Sequence, residues 1–434
     1  MTGDTQRNQT QLRRALGLFD ATAISVGAII GAGIFVVIGI VAGLAGPGVI
    51  ISIVLAGVIA SFSALSFAQL SAYMPREGGG YEFSYHLLSP YAGFLAGWMW
   101  VFSNIFTGAA VSLGFAQYLV TVFPFLPVQL VALVLCLIFT LINYVGVRQS
   151  AILNNVLVVS KILILLFFIL LGLSFLNVGN FSPFAPQGIS GVLEGAALIF
   201  FAYGGYARVT TVAEEVKDAS RTIPRAILLA LVLSTLLYVS ISFVAVGLVG
   251  SQRLSQSGSP LADAISVTGS SVAVWLVSIG AMIATASVLL MSILGVSRMT
   301  FAMARNKQLP EFLNRIHPRF QTPHYAVGAT GVLSAIFVFG GFYRVVAVGT
   351  FALLFHHALV NLSALKLRAE NRRYPLFVSA LGFLFCLTLI AFLSMDAWII
   401  GVAGLTFGSL YYWFGFKLRK QHPTQKRREE SSVD

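Results

Sequence analysis

The chain has 434 residues, of which 57% are hydrophobic and only 10% charged, and its formal net charge is +12. A soluble protein of this length carries about a quarter charged residues; with a mean hydropathy of +0.88, a cytosolic globular fold is excluded. A spanning helix uses roughly 20 apolar residues, so the hydrophobic stock would fill about twelve spans.

The apolar runs are continuous and helix-length, as in "ILILLFFILLGLSF", which excludes an outer-membrane barrel with its short alternating strands. Residues 1–17 are polar and carry Arg7, Arg13 and Arg14, without the apolar core and cleavage site of a signal peptide. A retained N-terminal segment is expected. Spans are then predicted over 18–44, 48–73, 90–121, 128–146, 152–175 and 190–215. Six more are predicted over 223–250, 271–303, 323–341, 344–367, 375–393 and 396–418. The remaining tail, 419–434, is polar and charged and is expected to be disordered.

Lys and Arg collect in cytoplasmic loops. With the N-terminus inside, that side holds Arg76, Arg148, Lys217, Arg221, Arg225, Arg305, Lys307, Arg315, Arg319, Lys366, Arg368, Arg372, Arg373 and the run from Lys417 to Arg428, whereas the opposite side shows Arg253 and Arg344. Both termini are therefore expected in the cytoplasm, and the plasma membrane is the expected location. The basic clusters lie between apolar runs rather than along one polar face, which points to anionic lipid headgroups and not to nucleic acid. Cys136 and Cys386 sit inside apolar runs, so a disulfide framework is not expected. The sequence leaves the oligomeric state open.

Within the first span, "SVGAIIGAGIFVVIG" places Gly27, Gly31, Gly33 and Gly39 mid-helix, and within the sixth "LIFFAYGGYARV" does the same with Gly204 and Gly205. One glycine-rich helix is best read as a close-packing surface. Two, one at the start of each half of the chain, point to unwound main chain lining a binding site. A half-helix starting at a break offers N–H groups and a positive dipole end to a carboxylate, and one ending there offers carbonyls to an ammonium group. Together they can hold a zwitterion with no charged side chain.

"GAIIGAGIF", "FFAYGGY", "AEEVKDASRTIPRAI", "GGGYEFSY" and "SRMTFAMARNKQLP" together resemble the signatures of the amino acid-polyamine-organocation (APC) superfamily of transporters. The resemblance implies an all-α polytopic membrane protein of the LeuT type. That fold has twelve transmembrane helices in two inverted five-helix repeats, here 18–175 and 190–367, plus two additional helices in 375–418, with helices one and six broken. It implies alternating access, and a substrate carboxylate at the amides of Gly31, Ala32 and Gly33. The ammonium would meet carbonyls of Ile29, Phe201, Ala202 and Gly204. Ser103, Asn104 and Thr107 in the third span and Tyr206 after the second break would face the substrate side chain, or else hydrogen-bond between helices.

Lys161, in "NNVLVVSKILILLFFI", lies about nine residues into its span, roughly 13 Å along the axis, too deep for easy snorkelling. A charge there costs at least about 2.5 to 3.5 kcal/mol and is functional by default. Proton-coupled members of the resembled family carry such a lysine in place of a sodium ion, which makes Gly27, Ile30 and Ser287 its expected neighbours and proton coupling its expected role. A permanent strut between helices is the alternative.

No acidic residue stands at substrate depth: Glu194 is nearer the outside, and Glu214 and Glu215 are at the cytoplasmic end. Similar cationic transporters often carry a glutamate where Ser103 stands, so neutral amino acids are the expected solutes, with cationic amino acids or polyamines the alternative. Ala207 and Arg208 depart from the family pattern; Arg208 either pairs with an acidic substrate or belongs to an intracellular gate, the second being favoured by its place on the cytoplasmic half-helix. His356 and His357 point about 100° apart and lack a Cys or carboxylate partner, so no metal site is expected; His357 shares a face with Asn361 for an interhelical bond. No cofactor is expected, and no ATP-binding loop is present. An enzyme would need a converging nucleophile and base and a channel a recurring filter motif; neither is found. Proton-coupled transport and uncoupled exchange both fit the fold.

Overall fold

A computed structural model describes residues 15–74, 78–146 and 151–421. Expectations for residues 1–14, Arg76, Arg148 and the tail from 422 lie outside the described residues. Those described form helices joined by short loops, with one isolated parallel bridge between Leu16 and Val216.

The first described elements are α1 (Leu18–Ile29), a π turn over Gly33–Val37 and α2 (Ile38–Ala45); a 3-10 turn at Gly46–Gly48, with Gly46 at φ +64°, leads into α3 (Val49–Tyr73). A short α4 (Gly80–Leu87) precedes α5 (Pro90–Val122), which opens on a Ser89 side chain accepting from Ala92 N–H and a proline in the first turn, a strong helix start. Then follow α6 (Val128–Val145), α7 (Ala151–Gly172) and α8 (Gly188–Tyr203), the last continued as a 3-10 stretch over Gly204–Glu215. The second half comprises α9 (Ala219–Gln256), α10 (Pro260–Ile265), α11 (Ser271–Arg305), α12 (His324–Phe337), α13 (Phe342–Leu365), α14 (Leu376–Ala391) and α15 (Met395–Gln421).

Nine of the described helical stretches are long and apolar enough to cross a membrane, Leu18–Tyr73 counting as one, and His324–Gly340 and Leu376–Ala391 are apolar but shorter. Exposure agrees with a lipid surroundings. On α6, Leu130, Val134, Leu137, Ile138 and Leu141 are exposed at helical spacing while Ala132, Leu135 and Cys136 are buried. Such an outward stripe is costly in water and matched to acyl chains. The inner helices are covered instead: α5 runs between α11 and α13, and α1 packs on α9 and on the 3-10 stretch after α8. Cys136 and Cys386 are buried and free.

Candidate functional site

The ladder of α1 stops when Ile30 turns extended, at φ −75° and ψ 97°, and helical hydrogen bonding resumes only at Gly33. The second break follows Tyr203, where the α-helix passes into the narrower 3-10 form. The two breaks touch. A Cβ on Gly33 would fall 2.2 Å from Cβ of Ala202, and one on Gly205 would fall 2.3 Å from the carbonyl carbon of Ala28. Glycine is required at both positions because main chain meets main chain there.

Between the breaks lies a central cavity of about 60 Å³. Its wall contains Ile29, Gly31, Ala32 and Gly33 from the first break, Phe201, Ala202 and Gly204 from the second, and Ser103, Asn104 and Thr107 from α5. Tyr206 is placed differently: its ring is buried edge-on to Phe67 and His357, and Phe67 and His357 stand in the wall instead. The side-chain donors of the wall are largely committed. Ser103 Oγ donates to the Gly349 carbonyl (2.8 Å), Thr107 Oγ1 to that of Ser103 (3.0 Å) and Asn104 Nδ2 to that of Trp100 (2.9 Å). Main chain at the breaks is thus the chief polar resource for a charged solute, since the first N–H groups of a helix have no partner within it. The Ile29 carbonyl already accepts from Tyr238 Oη at 2.8 Å; a carbonyl has a second lone pair to offer.

Lys161 is 1% exposed. Its Nζ donates to the carbonyls of Gly27 (3.1 Å) and Ile30 (3.2 Å) and to Ser287 Oγ (2.6 Å). The Ser287 hydroxyl spends its own proton on the Ala284 carbonyl at 2.9 Å, so it presents only lone pairs to the lysine. Three acceptors match the three N–H bonds of an ammonium group, whereas a neutral amine has two. The site is built for the charged form, and it sits at the end of α1 where the freed carbonyls are.

A second, wider cavity of about 440 Å³ lies beneath the first and reaches exposed residues at Arg305, Ile316 and Gln321. Gly78, Arg208 and Met299 belong to both walls. Arg208 donates through Nη1 to the Met291 carbonyl of α11 and through Nη2 to Asn104 Oδ1 of α5 at 2.8 Å. The floor is fixed by α4: Asn306 Nδ2 donates to Tyr81 Oη at 2.8 Å, and burial pushes that phenol up to about 12. His356 holds Ala96 through its Nδ1 (2.9 Å) and lies so close over Gly80 that a Cβ there would fall 2.6 Å from Nε2. The His357 ring turns to its own helix, Nδ1 to the Leu353 carbonyl at 2.8 Å; the interhelical bond expected of it is made by Asn361, whose Nδ2 donates to Ser63 Oγ at 2.8 Å. Glu194, expected nearer the outside, accepts from Tyr343 Oη at 2.9 Å and is not in the central wall.

Tyr238, Phe67 and Trp100 were not singled out by the sequence reading. A tyrosine in the middle of an apolar span was the available signal for Tyr238, because a buried hydroxyl needs a partner; the two other residues gave none.

A family model described as amino acid permease matches residues 16–416. An uncharacterized transporter of Mycobacterium tuberculosis is 35% identical over 405 residues, 93% of this chain and 91% of its own. The branched-chain amino acid permease BcaP of Bacillus subtilis is 30% identical, each chain covered to 93%. The methylthioribose transporter of the same organism is 32% identical, each chain covered to 95%. The chain belongs to the amino acid permease family, a family of multi-pass membrane transporters and not of enzymes.

Proposed function

We propose that this chain is a secondary active transporter that carries neutral amino acids across the plasma membrane, driven by protons. Its layout is read as twelve spans of the LeuT type, with repeats at 18–175 and 190–367, two further helices at 375–418 and both termini in the cytoplasm. The observation that carries the reading is the contact of two helix breaks around a cavity walled by main chain. The carboxylate goes to the amides of Gly31, Ala32 and Gly33 at a helix start, and the ammonium to carbonyls of Ile29, Phe201, Ala202 and Gly204. The side chain then extends toward Ser103, Asn104 and Thr107. No residue lining the central cavity among those described is acidic, which favours neutral over cationic solutes.

Lys161 is the proton carrier in this scheme. Protonated, it ties the end of α1 to α11 through Gly27, Ile30 and Ser287; on losing its proton it gives up one of those bonds, so protonation and the position of α1 are linked. Alternating access follows if α1 and the 204–215 segment move together against α5 and α11. Ser25 Oγ donates to the Tyr206 carbonyl (3.2 Å), Leu16 N–H to the Glu215 carbonyl (3.1 Å) and Lys217 N–H to the Leu16 carbonyl (2.9 Å), which supports the first two moving as one piece. Uptake into proteoliposomes with an imposed proton gradient tests the reading. Accumulation without internal amino acid is expected; uptake that requires internal amino acid and ignores the gradient would make the chain an exchanger.

A further inference from the structure

The two ends of the path through the bundle are built differently. Along α11, residues between Met291 and Arg305 line the wide cavity and Val288 lines the central one, while α10 packs at the other end, one 3-10 turn ahead of Ser271. Connections between helices normally run over the surface. Five of the six residues of α10, however, are buried: Pro260, Leu261, Ala262, Ala264 and Ile265. Pro260 is seated on Gly39 of α2, where a Cβ would fall 2.7 Å from the proline ring.

One face of α5 joins this cap to the central cavity. Thr107 and Val111 stand in the cavity wall, and the next positions at helical spacing are Gly114 and Tyr118. Gly114 closes on the first span, since a Cβ there would fall 3.2 Å from Val36 Cγ2 and 3.4 Å from Ala32 Cβ. Tyr118, about 10 Å beyond Val111 along the axis, is fully buried. Its hydroxyl donates to the Phe35 carbonyl at 2.7 Å and accepts from Leu261 N–H of α10 at 3.2 Å. One oxygen thus spends its single proton on the first span and a lone pair on the cap. Donation to Phe35 also makes that oxygen a better acceptor for Leu261, because bonds in a chain polarise one another.

We propose that Tyr118 is a positioning residue for transport, a clasp that holds α10 on the segment following the first break and keeps that end of the path shut while the wide cavity is open. The inference rests on the reading of the central cavity as the amino acid site. Gly33 of that site and Phe35 belong to the same π turn, so a shift of main chain at the break reaches α10 through one hydroxyl. Opening the path at this end requires the cap and the π turn to part, and neither can leave Tyr118 without weakening the hold on the other.

The test places a reporter, Val111→Cys, in the full-length protein, whose two native cysteines are buried. A charged, membrane-impermeant thiol reagent is applied to intact cells and to inverted membrane vesicles, so that each side is reached separately. With both termini in the cytoplasm, the cells expose the α10 side. Adding Tyr118→Phe is expected to speed labelling in cells at least fivefold and to leave labelling in vesicles unchanged or slower. Labelling in cells that does not change in a folded Tyr118→Phe would overturn the clasp, and so would an equal rise from both sides, which is what loss of a mere strut gives. Should Tyr118→Phe fail to fold, Ser259→Ala removes the other hydrogen bond between the cap and α5, to Thr121 Oγ1 at 2.9 Å. It should speed labelling in cells at least twofold, and no rise there would overturn the clasp. Leucine binding to the unsubstituted protein is measured alongside: its absence would overturn the reading of the cavity, whereas a one-sided rise in labelling would still support the clasp.

Discussion

Lys161 and Arg208 are both basic side chains lodged inside an apolar bundle, and their surroundings differ in kind. Lys161 is enclosed by three oxygens that exhaust its N–H groups, next to the first break but absent from the cavity wall. Arg208 is propped between two helices with its charge at the junction of two cavities. The same kind of side chain is thus enclosed by acceptors in one place and set at a cavity junction in the other. A closed set of acceptors makes protonation felt by the helices that supply them, whereas Arg208 joins α5 to α11 beside the passage between the cavities.

The comparison can be broken most forcefully at Lys161. Lys161→Ala leaves the Gly27 and Ile30 carbonyls without their donor, and proton-driven uptake is expected to fall more than tenfold, with the residual uptake flat from pH 5.5 to 7.5. Unchanged pH dependence with intact transport would reduce Lys161 to a strut. Ser287→Ala removes one acceptor from a charged donor and is expected to cost about 1.5–3 kcal/mol, seen as a lower melting temperature and slower uptake; an unshifted protein would mean that the serine is incidental. Arg208→Lys cannot bridge Met291 and Asn104 together, so a loss of about 1 kcal/mol is expected, seen as a lower melting temperature; an unshifted protein would mean that the bridge is incidental. Tyr238→Phe should have the smallest effect, a few-fold change in binding, because the Ile29 carbonyl it releases remains available to the substrate ammonium. A larger loss would show that Tyr238 sets the angle of the break.

The long apolar runs were readable because lipid demands apolar helices, and each run predicted from the sequence overlaps a described helix, 18–44 and 190–215 each crossing a break. The neighbours of Lys161 were also accessible, through the resemblance, since a buried ammonium must find oxygens and the first break frees them. The position of the break was less so. Of the glycines in the first span, Gly27 lies within α1 and Gly39 within α2, where Gly39 makes room for the Leu254 carbonyl and Pro260; only Gly31 lies among the unwound residues, and Gly33 borders them. Glycine content marks close approach, and the packing partner decides whether that approach is a helix contact or a break. Tyr206 shows the same limit, because a 3-10 stretch turns side chains about 120° per residue rather than 100° and carries its ring behind Phe67. The short helices α4 and α10 were passed over because neither is long enough to leave an apolar signal.

The account stands on main chain at the two breaks recognising both charged ends of a free amino acid. Competition binding to the purified wild-type protein by leucine, leucine methyl ester and N-acetyl-leucine tests this most directly. Leucine is expected to bind and each blocked derivative to bind at least a hundredfold more weakly, one for want of a carboxylate and the other for want of an ammonium group. Blocked derivatives that compete as well as leucine would contradict the account.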